Sequence, residues 1–384
     1  MTTRDGFPDA LRGFALIGIV LVNAPFFSVN TVLGLGGADV SNGWNSVPVF
    51  FITSLALGKF YLLFSFLFGY SVAYILKSDK ANVRRFLARA VVLIFFGVLH
   101  AVFLWHGDIL FMYGILAILL LALYYRREKA IRLTVKVVYI VNAALLSLLS
   151  LLLFAGEMLD EDLGETTTSS SLDSSLAVGS FLDNAGARSD LWLTGLPGSF
   201  ALQAPFAFAA LLVGVLAARK RFLADGANAV TMRKLAIWGF AIGLPLQLIA
   251  AWFSLVNQQS VNYSVGAELG WFTVTFVSAP VLSAGYIGVL WLLMQRHRRG
   301  FGLLAAAGRH SLCVYIGQSV ILAFVFSAWG LGLFGTLNLT LVTLIALVSW
   351  LVLAGLALLN SRYFSSGPLE WILKKATEPF RARV

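Results

Sequence analysis

Groups that ionise near neutrality are scarce in this 384-residue chain, which has four histidines and one cysteine. His100 stands in Gly97-Val-Leu-His-Ala-Val-Phe-Leu-Trp-His-Gly-Asp108, with His106 and Asp108 close behind it. An imidazole titrates near physiological pH and suits general-base work, and a neighbouring carboxylate can orient its ring. Asp9 and Arg12 are three residues apart and share a helical face. They read either as a salt bridge anchoring a helix end or as a guanidinium partly freed for a cytoplasmic phosphate, which its fork geometry suits. Gly13 would permit close approach of a ligand or of another helix, and Gly308-Arg309 repeats the pattern. His297 lies within Arg296-His-Arg-Arg299, where a basic loop explains it, while His310 beside Arg309 stays ambiguous. Scattered histidines and Cys313 alone show no metal-ligand spacing, so no metal is expected, and Cys313 has no partner for an internal disulfide. Phosphate-loop, serine-elbow and dinucleotide motifs are missing as well.

The elements that position these residues follow from composition. The chain is 59% hydrophobic and 12% charged, with a mean hydropathy of +0.86. Soluble domains carry about twice that share of charge, so the composition excludes a soluble enzyme, a disordered chain and a disulfide scaffold. It predicts an all-α polytopic membrane protein forming one integral domain over residues 1–384. Ten apolar stretches read as spans: 10–27, 60–76, 90–105, 109–125, 137–154, 198–218, 235–256, 271–294, 309–330 and 339–360. The first lacks a small-x-small cleavage site before Pro25 and is read as uncleaved. With both termini assigned to the cytoplasm, 26 of the 28 Lys and Arg fall inside, and only Lys59 and Arg188 fall outside. The positive-inside rule predicts such a bias. The segment 155–197 is then external, and its run Glu165 to Ser175 has a flexible linker's composition. Residues 47–58 are too few to span and read as interfacial or re-entrant, leaving Lys59 at the outer boundary with its ammonium in water.

Counting along the helices places the polar residues in depth. Asn23 lies 11 residues beyond Arg12 and His100 lies 11 beyond Arg89, each about 16 Å outward. Gln318 lies 9 beyond Arg309, about 14 Å outward. These three are expected at similar mid-membrane depth, with His106, Asp108 and Tyr113 further out at a tight turn. One reading is a polar chamber with His100 as the titratable group. The other is interhelical hydrogen bonding, for which Asn, Gln and His are common.

The stretch Asp9-Ala-Leu-Arg-Gly-Phe-Ala-Leu-Ile-Gly-Ile-Val-Leu-Val-Asn23 resembles the opening signature of the domain-of-unknown-function 418 family, the YeiB-like bacterial membrane proteins. So do Lys59-Phe60 with Leu63 to Gly69, Gly97-Val-Leu-His100, Gly107 to Leu110 with Tyr113, Gly308-Arg309, Leu312, Tyr315, Gln318-Ser319, and Gly367 to Trp371 with Thr377. The chain departs from the family pattern at Leu57, where an acidic residue is common, and at Leu312-Cys-Val-Tyr315, against Leu-Thr-Asn-Tyr. The family in turn resembles the transmembrane acyltransferases. That resemblance implies an acyl group taken from cytosolic acyl-CoA, with Arg12 contacting CoA phosphate. In the larger branch of those enzymes a histidine follows the arginine after ten residues, where this chain has Asn23.

The leading expectation is therefore an acyltransferase of the bacterial inner membrane. Acyl-CoA would be a co-substrate, with no permanently bound cofactor. Arg12 and Arg309 would hold the CoA end, His100 would act as base with Asp108 orienting it, and Asn23 or Gln318 would stabilise the oxyanion. Gln318, His106 and Tyr113 would face the extracytoplasmic acceptor. Partners would be membrane lipids, the donor and the acceptor, with no nucleic acid, and self-association into a homo-oligomer is open. A transporter or lipid flippase fits mid-span Pro245 and Pro280 and the polar chamber equally well, and a scaffold without chemistry is the third reading.

Overall fold

The computed structural model describes residues 6–76, 82–159, 170–224, 228–364 and 366–380, and these form helices and turns with no strand. Arg4, Lys77, Lys80, Arg381 and Arg383 of the inner basic set, and residues 165–169 of the Ser/Thr-rich run, lie outside the described residues.

The helices are α1 (Gly6–Ser28), α2 (Gly43–Leu55), α3 (Lys59–Leu76), α4 (Val83–Phe103), α5 (Leu110–Tyr124), α6 (Glu128–Met158), α7 (Ser171–Val178) and α8 (Phe181–Leu202). There follow α9 (Ala204–Arg219), α10 (Ala229–Trp238), α11 (Leu244–Gln259), α12 (Val265–Arg296), α13 (Gly302–Arg309), α14 (Ser311–Phe326), α15 (Leu339–Tyr363) and α16 (Pro368–Thr377). All ten apolar stretches are helical, so the chain is a polytopic membrane protein. Among the described residues seven helical runs are long and apolar enough to cross a membrane, and two bent pairs bring the number to nine. The pairs are α8–α9, bent by 55°, and α13–α14, bent by 78°. The remaining stretch, α5, has 15 residues, about 22 Å by helical rise against a hydrocarbon core of ~30 Å. Helix α8 roofs the turn that precedes α5, with Arg188 donating to the Phe103 carbonyl at 3.1 Å.

Burial separates centre from rim. The most apolar window of α1 is 61% buried inside the protein and that of α6 only 11%. Beyond its basic first turns the exposed α6 side chains, such as Ile140, Leu145 and Leu152, are almost all apolar, as suits a lipid-facing helix surface. Close helix approaches use small residues, as membrane interfaces do in general. A Cβ on Gly69 would strike the Leu211 carbonyl of α9, and one on Gly13 the Leu304 carbonyl of α13. Gly13 therefore serves helix packing.

Contacts between distant segments keep the alternation that the charges imply. At one end Arg219 donates to the Tyr124 carbonyl, and Asn360 meets His310 at 2.9 Å. At the other, Thr31 meets Ser170 at 2.7 Å, and Asn45 accepts from the Leu339 N–H at 2.7 Å. The start of α1 and helix α16 share the first end, where Arg89 lies in electrostatic range of Arg12 and Glu370.

Two expectations are corrected. The external segment 155–197 is no plain linker in its described part. Helix α6 continues to Met158, Ser170 caps α7, and α8 starts at Phe181, well before the expected span. Leu172, Leu176 and Arg188 are buried there, because the segment lies on the outer ends of α1, α4 and α14 and excludes water from them. Residues 47–58 are not too few to span either: α2 and α3 together make a run, Gly43–Leu76, long and apolar enough to cross a membrane. Lys59 sits at its internal break, fully buried, beside Phe60, whose ring packs on Gly18 halfway along α1. It does not reach water. Its Nζ donates to the Thr53 carbonyl at 2.7 Å, one of the acceptors left unpaired where α2 ends.

Candidate active site at the end of α4

His100 lies in the last turn of α4, and its carbonyl accepts the N–H groups of Leu104 and Trp105. The chain then turns through Gly107 and Asp108 before α5 begins. Asp108 Oδ2 accepts the Phe111 N–H at 2.7 Å, pairing one of the donors that a helix start leaves open. Asp108 Oδ1 lies 2.8 Å from His100 Nδ1, with both side chains almost wholly buried. The turn closes this tightly because residue 97 is glycine. A Cβ there would stand 2.6 Å from Asp108 Oδ2 and strike the Phe111 backbone.

On the far side of the ring, His100 Nε2 lies 2.8 Å from the Ser319 hydroxyl on α14. A carboxylate can only accept. With Nδ1–H donating to Asp108, the Nε2 lone pair faces the serine O–H. Tyr315, one helical turn before Ser319, packs its ring 5.0 Å from the imidazole, and its hydroxyl reaches Asp108. The resulting array is serine, histidine and aspartate in hydrogen-bonded series, drawn from α14, α4 and the turn before α5. Such an array can take a proton from a hydroxyl and hold the imidazolium that forms.

The pairing of His100 with Asp108 follows the sequence reading. The serine was not among the expected site residues, although it adjoins Gln318. Its signal lay in the Tyr315 to Ser319 spacing, since residues four apart share a helix face. Gln318 itself is buried and donates to the Leu16 carbonyl at 3.3 Å. That carbonyl is about 10 Å inward of Asn23 along α1 by helical rise, and Asn23 makes none of the cluster's hydrogen bonds. The Tyr113 hydroxyl is 2.8 Å from Ser65 Oγ on α3, away from the imidazole. His106 packs edge-on against Phe26 and Trp105 under the α7–α8 cap. Burial and the Arg188 charge bring its pKa down to about 4, so it is neutral at physiological pH. The expected chamber is therefore three separate polar contacts, of which one has the geometry for proton transfer.

The basic inner end is also built. Arg12 donates to Asp9 at 2.6 Å and to Ser71 on α3, so the ion pair read from the spacing forms. Arg309 lies 3.4 Å from Ser361. Glu370 of α16 accepts the N–H groups of Leu312 and Cys313 at 2.8 and 3.1 Å. It also accepts the Cys313 thiol at 2.8 Å. A carboxylate on the first turn of α14 is favoured by the helix dipole, and it holds α16 across the α13–α14 break. Among the described residues no group of three or more His, Cys, Asp or Glu could hold a metal.

Residues 217–379 match the family described as "Protein of unknown function (DUF418)". Over these residues the chain is similar to the DUF418, YeiB-like proteins. The similarity to curated relatives extends over nearly the full length. YxaH of Bacillus subtilis (strain 168) is 26% identical over 97% of this chain and 94% of its own length. YeiB of Escherichia coli (strain K12) is 24% identical over 96% and 95%. A 39.9 kDa protein encoded in the amylase 3' region of Bacillus acidopullulyticus is 27% identical over 97% and 94%. All three are described as uncharacterized.

Proposed function

We propose that this DUF418-like protein is an acyltransferase of the bacterial inner membrane, moving an acyl group from cytosolic acyl-CoA to an acceptor at the outer face. The observation that carries the reading is the Asp108–His100–Ser319 series, with 2.8 Å on each side of the imidazole. Asp108 fixes the ring, and Nε2 is aimed at a hydroxyl, where general-base catalysis needs it. Acyl-CoA is a co-substrate in this reading, not a resident cofactor. Its anionic end would meet the end of the molecule that carries Arg12, Arg89 and Arg309. Membrane lipids and an extracytoplasmic acceptor complete the partners, with no role for nucleic acid. The test offers the purified protein a panel of acyl-CoAs and reads thermal unfolding, since a ligand of the folded state raises Tm. A rise with one chain length, together with loss of acyl transfer in His100→Ala, is expected. No rise with any acyl-CoA would overturn the reading.

Transport or lipid flipping is the second reading, and the two bent spans favour it. Broken helices supply backbone groups to substrates at the membrane midplane in many carriers. Uptake or scrambling in liposomes that survives His100→Ala would decide for it.

A further inference from the structure

We propose that Ser319 is the nucleophile that carries the acyl group, so that transfer runs in two steps through an acyl-serine. The proposal rests on the acyl-transfer reading for its donor, but the activation of Ser319 is tested without CoA. Ser319 is 4% exposed and its hydroxyl is 2.8 Å from Nε2. It thus occupies the place where an acceptor hydroxyl would have to sit for His100 to act on it directly. A base whose reach is filled by the protein's own hydroxyl acts first on that hydroxyl.

The chemistry balances with the groups present. Ser319 Oγ attacks the carbonyl carbon of a thioester and its proton passes to His100 Nε2. The carbon–sulfur bond breaks, and the sulfur leaves as a thiol with that proton. An acceptor hydroxyl or amine then attacks the serine ester, giving its proton to His100, which returns it to Ser319 Oγ as the ester bond breaks. Nothing is oxidised or reduced. Asp108 and Tyr315 act as positioning residues for the imidazole.

A developing oxyanion needs a donor that is not already engaged. The buried Trp105 indole N–H has no hydrogen-bond partner among the described residues, and its ring centre lies 6.3 Å from that of His100. Most buried polar groups are paired, so an unpaired one asks for an explanation. A carbonyl oxygen arriving at Ser319 supplies one. Ser319 also lies eight residues into α14, about 12 Å by helical rise from the bend beside Arg309. A thioester held at that end by its phosphates would enter from the same side.

The experiment treats the full-length protein in detergent with a fluorophosphonate, which phosphonylates activated serines, and maps the adduct by mass spectrometry. Ser319 should be modified in the wild type, about 10²-fold more slowly in His100→Ala, and not at all in Ser319→Ala. Folded protein that leaves Ser319 unmodified overturns the proposal, as does modification that His100→Ala does not slow. Modified Ser319 with no response to any acyl-CoA keeps the nucleophile and removes the CoA donor. Acyl transfer that survives Ser319→Ala removes the covalent step and leaves the acyltransferase reading standing.

Discussion

Two ionisable side chains, His100 and Lys59, are buried within the membrane-spanning body of this protein, and their surroundings differ in kind. His100 is held by side chains from two other segments, one on each ring nitrogen. Lys59 meets a backbone carbonyl six residues back on its own crossing. An intramembrane ionisable group is a functional candidate by default, yet the Lys59 amine closes the helix break between α2 and α3. Sequence depth alone does not reveal this, since it sets Lys59 at the water boundary, where the structure instead buries it, and His100 at the same depth as Asn23 and Gln318. The partners separate them: a base needs a movable proton on its far side, whereas a helix-end donor needs a carbonyl.

The largest expected effect is at His100. His100→Ala should lower acyl transfer by about 10³-fold, the range in which a positioned base works, while the folded fraction judged by size-exclusion profile stays near wild type. Asp108→Asn should come next. The amide oxygen can still accept the Phe111 N–H, but the ring loses its fixed orientation, and a fall in kcat of about 10²-fold with little change in KM is expected. Equal losses at Lys59 would break the contrast. Lys59→Met is instead expected to keep transfer within about threefold and to change stability by only about 1 kcal/mol, since one hydrogen bond is lost and an apolar side chain fills the same space. Gly97→Ala sharpens the packing side of the comparison. Forcing a methyl against Asp108 and Phe111 should cost about 1–3 kcal/mol, read as a lower Tm and a slower reaction together.

The smallest effect belongs to His106, which must be separated from His100 in any pH profile. Burial and Arg188 depress its folded pKa to about 4 from an ordinary 6.5, so the unfolded chain binds a proton more readily than the folded one. Its stabilising contribution is complete above about pH 6.5 and is lost as pH falls towards 4. His106→Gln should flatten that part of the Tm-against-pH curve without moving the kinetic profile of transfer.

Much of the architecture was legible because hydrophobicity and charge act locally. A run of about twenty apolar residues can satisfy its backbone in lipid only as a helix, and basic loops mark one side whatever the packing. What escaped depended on neighbours. The bend after Arg309 and the continuity of α2 with α3 depend on how those segments pack, not on their composition. The cap formed by Ser170 to Arg188 reads as polar sequence, yet it is ordered by contacts to Thr31, Phe103 and Ser327. Ser319 carries no signal of its own, because a serine in an apolar helix usually bonds to its own backbone.

The sequence by itself therefore determined the solvent this chain lives in, its helices, the side that carries its positive charge, and the pairing of His100 with Asp108 across an eight-residue turn. Those properties depend on residues near one another in the chain. Only the tertiary structure decided that Ser319 meets His100, that Lys59 is sealed from water, and that Gln318 and Tyr113 are engaged elsewhere. His100 and Ser319 are 219 residues apart, and no local periodicity fixes which faces of two separate helices come together.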